Sequence, residues 1–302
     1  MIDLSTKISS LKLKNPTILA SGIMDEDAGS MQRIFDNGAA AIVTKSIGLK
    51  PKDGYLNPTL IELEHGILNA MGLPNPGIEE FGEEVKKLKN LKIPIIGSIF
   101  GSNSDEFIKL AKKMQEYGAD AVELNMSCPH ALGYGLEIGS DPIIVKEITS
   151  KVKKSLEIPV FVKISPNLPD IVDIAKSIEQ GNADGIVAIN TVKAMKIDLK
   201  LKIPVLSNII GGYSGKAIKP IGVRCVYEIS NNVKIPVIGV GGITNGEDAL
   251  EYIMAGASAV QIGSGIYYRG LNVFQEICKE IEIWMKDNSY DNIPDLIGVA
   301  HL

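Results

Sequence analysis

The chain has 302 residues, of which 45% are hydrophobic, with three cysteines and a formal net charge of -5. That composition suits one large α/β domain and excludes disordered or fibrous chains, and the modest, dispersed charge provides no basic stripe for a nucleic-acid backbone. Cys128, Cys225 and Cys278 are too far apart in sequence for a CxxC pair, so the chain carries neither a disulfide framework nor its own set of iron-sulfur ligands.

In chain order, Met1 to Lys14 alternates polar and apolar residues, which predicts neither a signal peptide nor a membrane anchor and makes the cytoplasm the expected location. Eight short apolar runs follow, rich in β-branched residues: Thr17 to Ala20, Ala41 to Thr44, Ile93 to Ser98, Ala121 to Asn125, Val160 to Ile164, Gly185 to Asn190, Val237 to Val240 and Ala259 to Ile262. Stretches of helical length separate them, among them Asp105 to Tyr117, Ile143 to Leu156, Ile171 to Gln180 and Gly246 to Ala255. Lys-Ile-Pro or Glu-Ile-Pro at Pro94, Pro159, Pro204 and Pro236 predicts strand entries, since proline at the first strand residue loses no ladder bond. Gly38, Gly118 and Gly256 predict left-handed helix ends just before strands. The alternation predicts a single domain over residues 1–302, a parallel eight-stranded TIM (β/α)8 barrel; an open doubly wound sheet is the competing arrangement. Leu49 to Pro76 and Thr191 to Lys219 exceed the repeat and read as long functional loops at the C-terminal face.

Barrel chemistry belongs at the C-terminal ends of the strands. The last two ends, Val240-Gly241-Gly242 and Ile262-Gly263-Ser264, match the usual barrel phosphate site, although a glycine-rich strand end taken alone is also a plain tight turn. Lys45 and Lys163 are each embedded in an apolar run, Ala-Ile-Val-Thr-Lys and Val-Phe-Val-Lys-Ile, and would either meet an anion or snorkel to solvent. Asn69, Asn125 and Asn190 offer amides suited to the carbonyl and N–H edges of a planar heterocycle. Cys128 stands where a strand runs into Pro129, followed by the glycine-rich segment His130 to Gly135, which reads as a cover. A base or nucleophile and a buried structural thiol are the two readings of it. Cys225 and Cys278 fall in helical stretches and are expected to pack.

Five segments in order, Asn69 to Gly77, Asn125 to Pro129, Val162 to Asn167, Ile189 to Thr191 and Gly211 to Gly215, resemble the class 1 dihydroorotate dehydrogenases. The likeness runs from about Leu4 to about Ile283 and is closest to the class 1B catalytic subunit. It implies an FMN-dependent barrel, one FMN per chain, that oxidises dihydroorotate to orotate in pyrimidine biosynthesis. By the resemblance, Cys128 removes the C5 proton while hydride passes from C6 to N5 of FMN. Lys45 and Asn69, Ala70, Met71, Gly72 and Leu73 would hold the substrate carboxylate, and Asn125, Asn190 and Thr191 the pyrimidine edge. Ser21, Lys45, Ser46, Ser98, Asn125, Lys163, Ile189, Gly215, Gly241, Gly242, Gly263 and Ser264 would form the FMN cradle; Ser98 stands where relatives often carry Asn.

Cysteine as base separates the chain from the membrane-associated class 2 enzymes, which use serine. The 1B likeness further implies a partner subunit with FAD and a 2Fe-2S cluster that passes electrons to NAD, around a homodimer core of a heterotetramer. The 1A relatives reduce fumarate instead. Cys128-Pro129-His130 is also similar to the pyrimidine site of dihydropyrimidine dehydrogenase. A phosphate-binding aldolase or isomerase acting through Lys163 and a non-catalytic binding module complete the alternatives.

Overall fold

A computed structural model describes residues 2–127 and 136–302. Eight parallel strands close into a barrel in sequential order: Thr17–Leu19, Ala41–Val43, Ile95–Ile99, Ala121–Asn125, Val160–Ile164, Gly185–Ala188, Val237–Val240 and Ala257–Ile262, the last pairing back onto the first. Each occupies one of the eight expected apolar runs, and the closed order removes the open doubly wound alternative. The barrel has no sheet edges, because every strand is paired on both sides.

Local chemistry sets the element ends. Pro94, Pro159 and Pro236 each stand one residue before a strand, as expected of a residue with no N–H to give to the ladder. Gly38, Gly118 and Gly256 all have left-handed φ, between 102° and 110°, and each turns the chain from a helix toward the next strand. Asp27, Asn103 and Asp170 cap the helices Ala28–Asp36, Ser104–Tyr117 and Ile171–Gln180 through their side-chain oxygens, and Asn245 with Asp248 forms a capping box on Gly246–Met254.

The core has two main parts. One lies between the strands and the ring of helices and includes Met31, Phe81, Phe107, Ile178 and Phe274. The other fills the barrel interior with Ile18, Val43, Ile96, Phe161, Val187 and Ile238. Full burial of each such side chain contributes about 1.5–3 kcal/mol. A short hairpin, Thr6–Ile8 with Leu11–Leu13, adds Ile8 and Leu13 to the interior cluster. In the sequence this stretch shows only an alternation of polar and apolar residues.

The two long excursions are not simple loops. Leu60–Leu63 and Gly66–Asn69 from the first pair with Gly211–Ser214 and Val192–Ala194 from the second, giving a four-stranded antiparallel sheet. Leu68, Ala70 and Leu206 form a small core within it. The Ile203-Pro204 motif also departs from expectation: it enters no barrel strand but pairs antiparallel with Ile197–Asp198 in a separate hairpin. Proline is tolerated there because a two-stranded ribbon is all edge.

Candidate active site

Between the C-terminal ends of the barrel strands and this added sheet lies a cavity of about 410 Å³. Its wall, among the described residues, takes Ser21, Lys45, Ser46, Asn125, Lys163, Ile189, Asn190 and Thr191 from the ends of the first, second, fourth, fifth and sixth strands, and Gly241, Gly242, Gly263 and Ser264 from the last two. Asn69, Met71, Gly72 and Leu73 reach it from the added sheet and the turn that follows. The sixth strand leaves the ladder at Ala188, two residues earlier than expected, which places Ile189 and Asn190 on the wall.

Three expected residues stand off the wall. Ala70 is buried in the small core of the added sheet, and its N–H donates to the Thr59 carbonyl at 2.8 Å. Ser98 is wholly buried, with its Oγ 2.8 Å from Ser46 Oγ. Gly215 lies behind the wall, and a Cβ placed on Gly242 would approach its carbonyl oxygen to 2.7 Å. Cys128 and the segment His130 to Gly135 lie outside the described residues.

Hydrogen bonds tie the strand ends into one polar network. Ser46 Oγ accepts from Asn125 Nδ2 at 3.0 Å and lies 3.4 Å from Ser21 Oγ. Asn125 Oδ1 accepts from both the backbone N–H and the hydroxyl of Ser127, at 3.2 and 2.9 Å. Asn190 Nδ2 donates to Ser127 Oγ at 2.7 Å, and Asn190 Oδ1 accepts from the Thr191 N–H at 2.7 Å. A primary amide has two donors and two acceptor lone pairs. Asn125 therefore retains one N–H for a ligand, while Asn190 retains one donor and one acceptor. Ser127 holds both amides in place; in the sequence it is only one small polar residue in the run from Asn125 to Pro129.

Backbone geometry adds donors. Gly72 and Leu73 have φ of 79° and 59°, and a left-handed bulky residue such as leucine is a backbone outlier. A Cβ on Gly72 would come within 2.8 Å of the Tyr55 N, so glycine is required there. The N–H groups of Met71, Gly72 and Leu73 enter no backbone hydrogen bond among the described residues. Consecutive free N–H groups around left-handed residues form an anion-binding concavity. Lys45, nearby on the wall, is mostly buried and pairs with Glu26 at 3.2 Å.

Lys163 is almost fully buried within the wall and does not snorkel to solvent. Its Nζ donates to Gln261 Oε1 at 3.3 Å and lies 3.6 Å from Glu123 Oε1, while Gln261 Nε2 donates to Glu123 Oε2 at 2.6 Å. Glu123 and Gln261 had not been recognised in the sequence. The signal was the one that marked Lys163, a long polar side chain inside an apolar strand.

Asp25, just beyond the first strand end, is 1% exposed and accepts from the Gly22 N–H at 2.6 Å. Burial pushes its carboxyl up from 3.8 to about 6, against the lowering effects of the Gly22 hydrogen bond and the Lys45 charge. The folded chain thus holds this proton more tightly than the unfolded one. The resulting stability is complete below about pH 3.8 and is lost as pH rises through 6, on the order of 3 kcal/mol. Asp25→Asn, which is neutral at every pH, is expected to melt close to wild type at pH 4 and at a higher temperature at pH 8. A melting difference independent of pH would remove Asp25 as the titrating group.

The other thiols behave as packing. Cys225 lies in the helix Lys219–Ser230 and Cys278 in Val273–Asp287, and burial pushes both up to about 11. Among the described residues, no helix is long and apolar enough to cross a membrane.

The wall offers what FMN demands of a protein: glycine-lined ends of the last two strands for a phosphate, a buried cation, and amides for a ring edge. Gly242 has a φ of 69°, and the space a side chain would need there is already taken by the Gly215 carbonyl, so the backbone itself forms that part of the wall. Known proteins resemble this chain over almost its whole length. The family model described as "Dihydroorotate dehydrogenase" matches residues 3–285. Proteins named "Dihydroorotate dehydrogenase B (NAD(+)), catalytic subunit" are 52% identical in Thermoplasma acidophilum over 300 residues, 99% of each chain, and 50% identical in Methanocaldococcus jannaschii over 302 residues, 99% of this chain and 98% of that one. A relative of the same name in Pyrococcus abyssi is 50% identical over 297 residues, 98% of this chain and 99% of its own. Barrel, cavity and full-length similarity together show that the chain belongs to the dihydroorotate dehydrogenase family.

Proposed function

We propose that this chain binds one FMN and oxidises dihydroorotate to orotate for pyrimidine biosynthesis in the cytoplasm. The observation that carries the reading is the cavity itself, where a buried cation, glycine-lined strand ends, an anion-binding turn and two partly committed amides meet on one wall. When bound, FMN supplies the two-electron acceptor. Gly241, Gly242, Gly263 and Ser264 hold its phosphate, and Lys163 presents positive charge to its ring. Ile189 packs against it, Ser21 and Ser46 offer hydroxyls, and Ser98 and Gly215 act from behind the wall by fixing Ser46 and Gly242.

The substrate carboxylate sits on the N–H groups of Met71, Gly72 and Leu73, with Lys45 as counter-ion. Asn69 closes that end, and Ala70 anchors the turn through its hydrogen bond to Thr59. The free N–H of Asn125 and the free pair on Asn190, with Thr191 beside it, orient the pyrimidine edge. By the resemblance, Cys128 accepts the C5 proton. The pairing of Lys163 with Glu123 and Gln261 speaks against the amine as a free Schiff-base nucleophile, so an aldolase reading is set aside.

The names of the relatives support a role as the catalytic subunit of an NAD-linked enzyme; the class 1B resemblance adds a homodimer of this chain joined to a partner that carries FAD and a 2Fe-2S cluster. The test is anaerobic mixing of the FMN-loaded chain with dihydroorotate. Bleaching of the visible flavin band with formation of orotate is expected, followed by recovery of colour with NAD only when the partner is present. A flavin-loaded protein that dihydroorotate leaves fully coloured would refute the substrate, and direct recovery with fumarate would refute the partner.

A further inference from the structure

The Glu123, Lys163 and Gln261 cluster is not explained by packing. Glu123, from the fourth barrel strand, is wholly buried, and its Oε1 has no hydrogen-bond partner among the described residues. Its nearest cation is Lys163 Nζ at 3.6 Å, an ion-pair distance too long for a good hydrogen bond. A buried carboxylate with one unsatisfied oxygen is expensive, and replacing a buried ion pair by apolar residues of similar volume is often neutral or stabilising. Stability therefore gives no reason for this cluster to be charged.

Its position does. Lys163 and Gln261 both line the cavity, whereas Glu123 does not and sits one layer below them. The Lys163 ammonium is thus shared between an amide at the wall and a carboxylate beneath it. In so dry a place, the net charge presented to a ligand depends on how closely the carboxylate compensates the ammonium. Gln261 sets that distance, because its Nε2 grips Glu123 while its Oε1 accepts from Lys163.

We infer that Glu123 and Gln261 are positioning residues that tune, through Lys163, the positive charge felt by the cofactor and hence its reduction potential. The inference rests on the FMN reading above. Removing the carboxylate leaves Lys163 uncompensated and favours the reduced, more negative flavin. Removing the amide leaves Glu123 as the remaining partner of Lys163 in the cluster, so the ammonium is drawn down to it and the reduced flavin is disfavoured.

The experiment is a dye-linked reductive titration of the FMN-loaded wild type and of Glu123→Gln, Glu123→Asp and Gln261→Met. Glu123→Gln is expected to bind reduced relative to oxidised flavin about tenfold more tightly, about 30 mV upward for a two-electron couple. Glu123→Asp keeps the charge and should stay near wild type, and Gln261→Met should move downward. A role confined to folding would change melting temperatures and leave every potential where it was, which would overturn the inference. Equal upward shifts in Glu123→Gln and Glu123→Asp would also overturn it, since charge would then not be the cause. Should Glu123→Gln not fold, Gln261→Met decides alone: a downward shift supports the inference, and an unchanged or raised potential defeats it. Wild-type protein that takes up no FMN would bring down the cofactor reading and this inference together, whereas flavin uptake with unmoved potentials defeats this inference only.

Discussion

Cys128→Ala is expected to slow orotate formation in a single turnover by about 10²–10⁴-fold, the usual contribution of a positioned acid or base, with FMN content unchanged. The wall built by the other strand ends does not need the thiol, so cofactor and substrate should still bind. Cys128→Ser should fall between alanine and wild type, with its pH profile moved upward. A thiol near pKa 8.5 is partly ionised close to neutrality, roughly a few per cent, whereas a hydroxyl is a far weaker base there. Stopped-flow measurement across pH, under anaerobic conditions, reads both effects. Wild-type single-turnover rates in Cys128→Ala would remove the thiol from the reaction and return it to a packing role.

Lys163→Met carries the second large effect, and this one is on the fold. It removes the cation from a pair in which both side chains are almost fully buried, leaving Glu123 with only the Gln261 donor. Removing one partner of a buried ion pair typically destabilises by about 3–5 kcal/mol, because the remaining charge is stranded. Urea denaturation of the flavin-free chain should show that loss, and adding Glu123→Gln to Lys163→Met should recover most of it, since nothing charged is then left without a partner. Additive effects of the two substitutions would mean that they do not interact. FMN affinity should fall in both lysine variants, which separates the contribution to the cofactor from the contribution to the barrel.

Much of the architecture was legible because it is local. Pro94, Pro159 and Pro236 mark strand starts for a reason internal to one residue, the missing N–H, and Gly38, Gly118 and Gly256 mark helix ends through a φ that other residues resist. The set of strand-end residues was legible for the same reason: once eight strands are placed in order, barrel closure brings their ends to one face. Lys45, Lys163, Asn125, Asn190, Gly241, Gly242, Gly263 and Ser264 then had to meet on one wall, and they do.

The remainder depends on pairings between distant residues. The stretches around Leu60–Asn69 and Val192–Ser214 read as loops because glycine, proline and asparagine interrupt any regular pattern. Their strands exist only by pairing with each other, as Gly212 does with Asn69. Ala70, from the Asn69 to Gly77 segment, and Ser98, at the third strand end, are drawn off the wall, the first into the small core of the added sheet and the second toward the hydroxyl of Ser46. Glu123 and Gln261 were passed over because a single polar residue in a strand is ambiguous until its neighbours across the barrel are known.

The eight strands, their alternation with helices and the family-like residues at their ends could be read from the chain alone, because periodicity and the special geometry of proline and glycine act over a few residues at a time. Closure of the sheet, the way the two excursions roof the cavity, the donors left free on Asn125 and Asn190, and the pairing of Lys163 with Glu123 and Gln261 emerge only in the folded chain. Those are matters of distance between groups far apart in the chain, where hydrogen-bond capacity and charge compensation are settled by closure of the barrel.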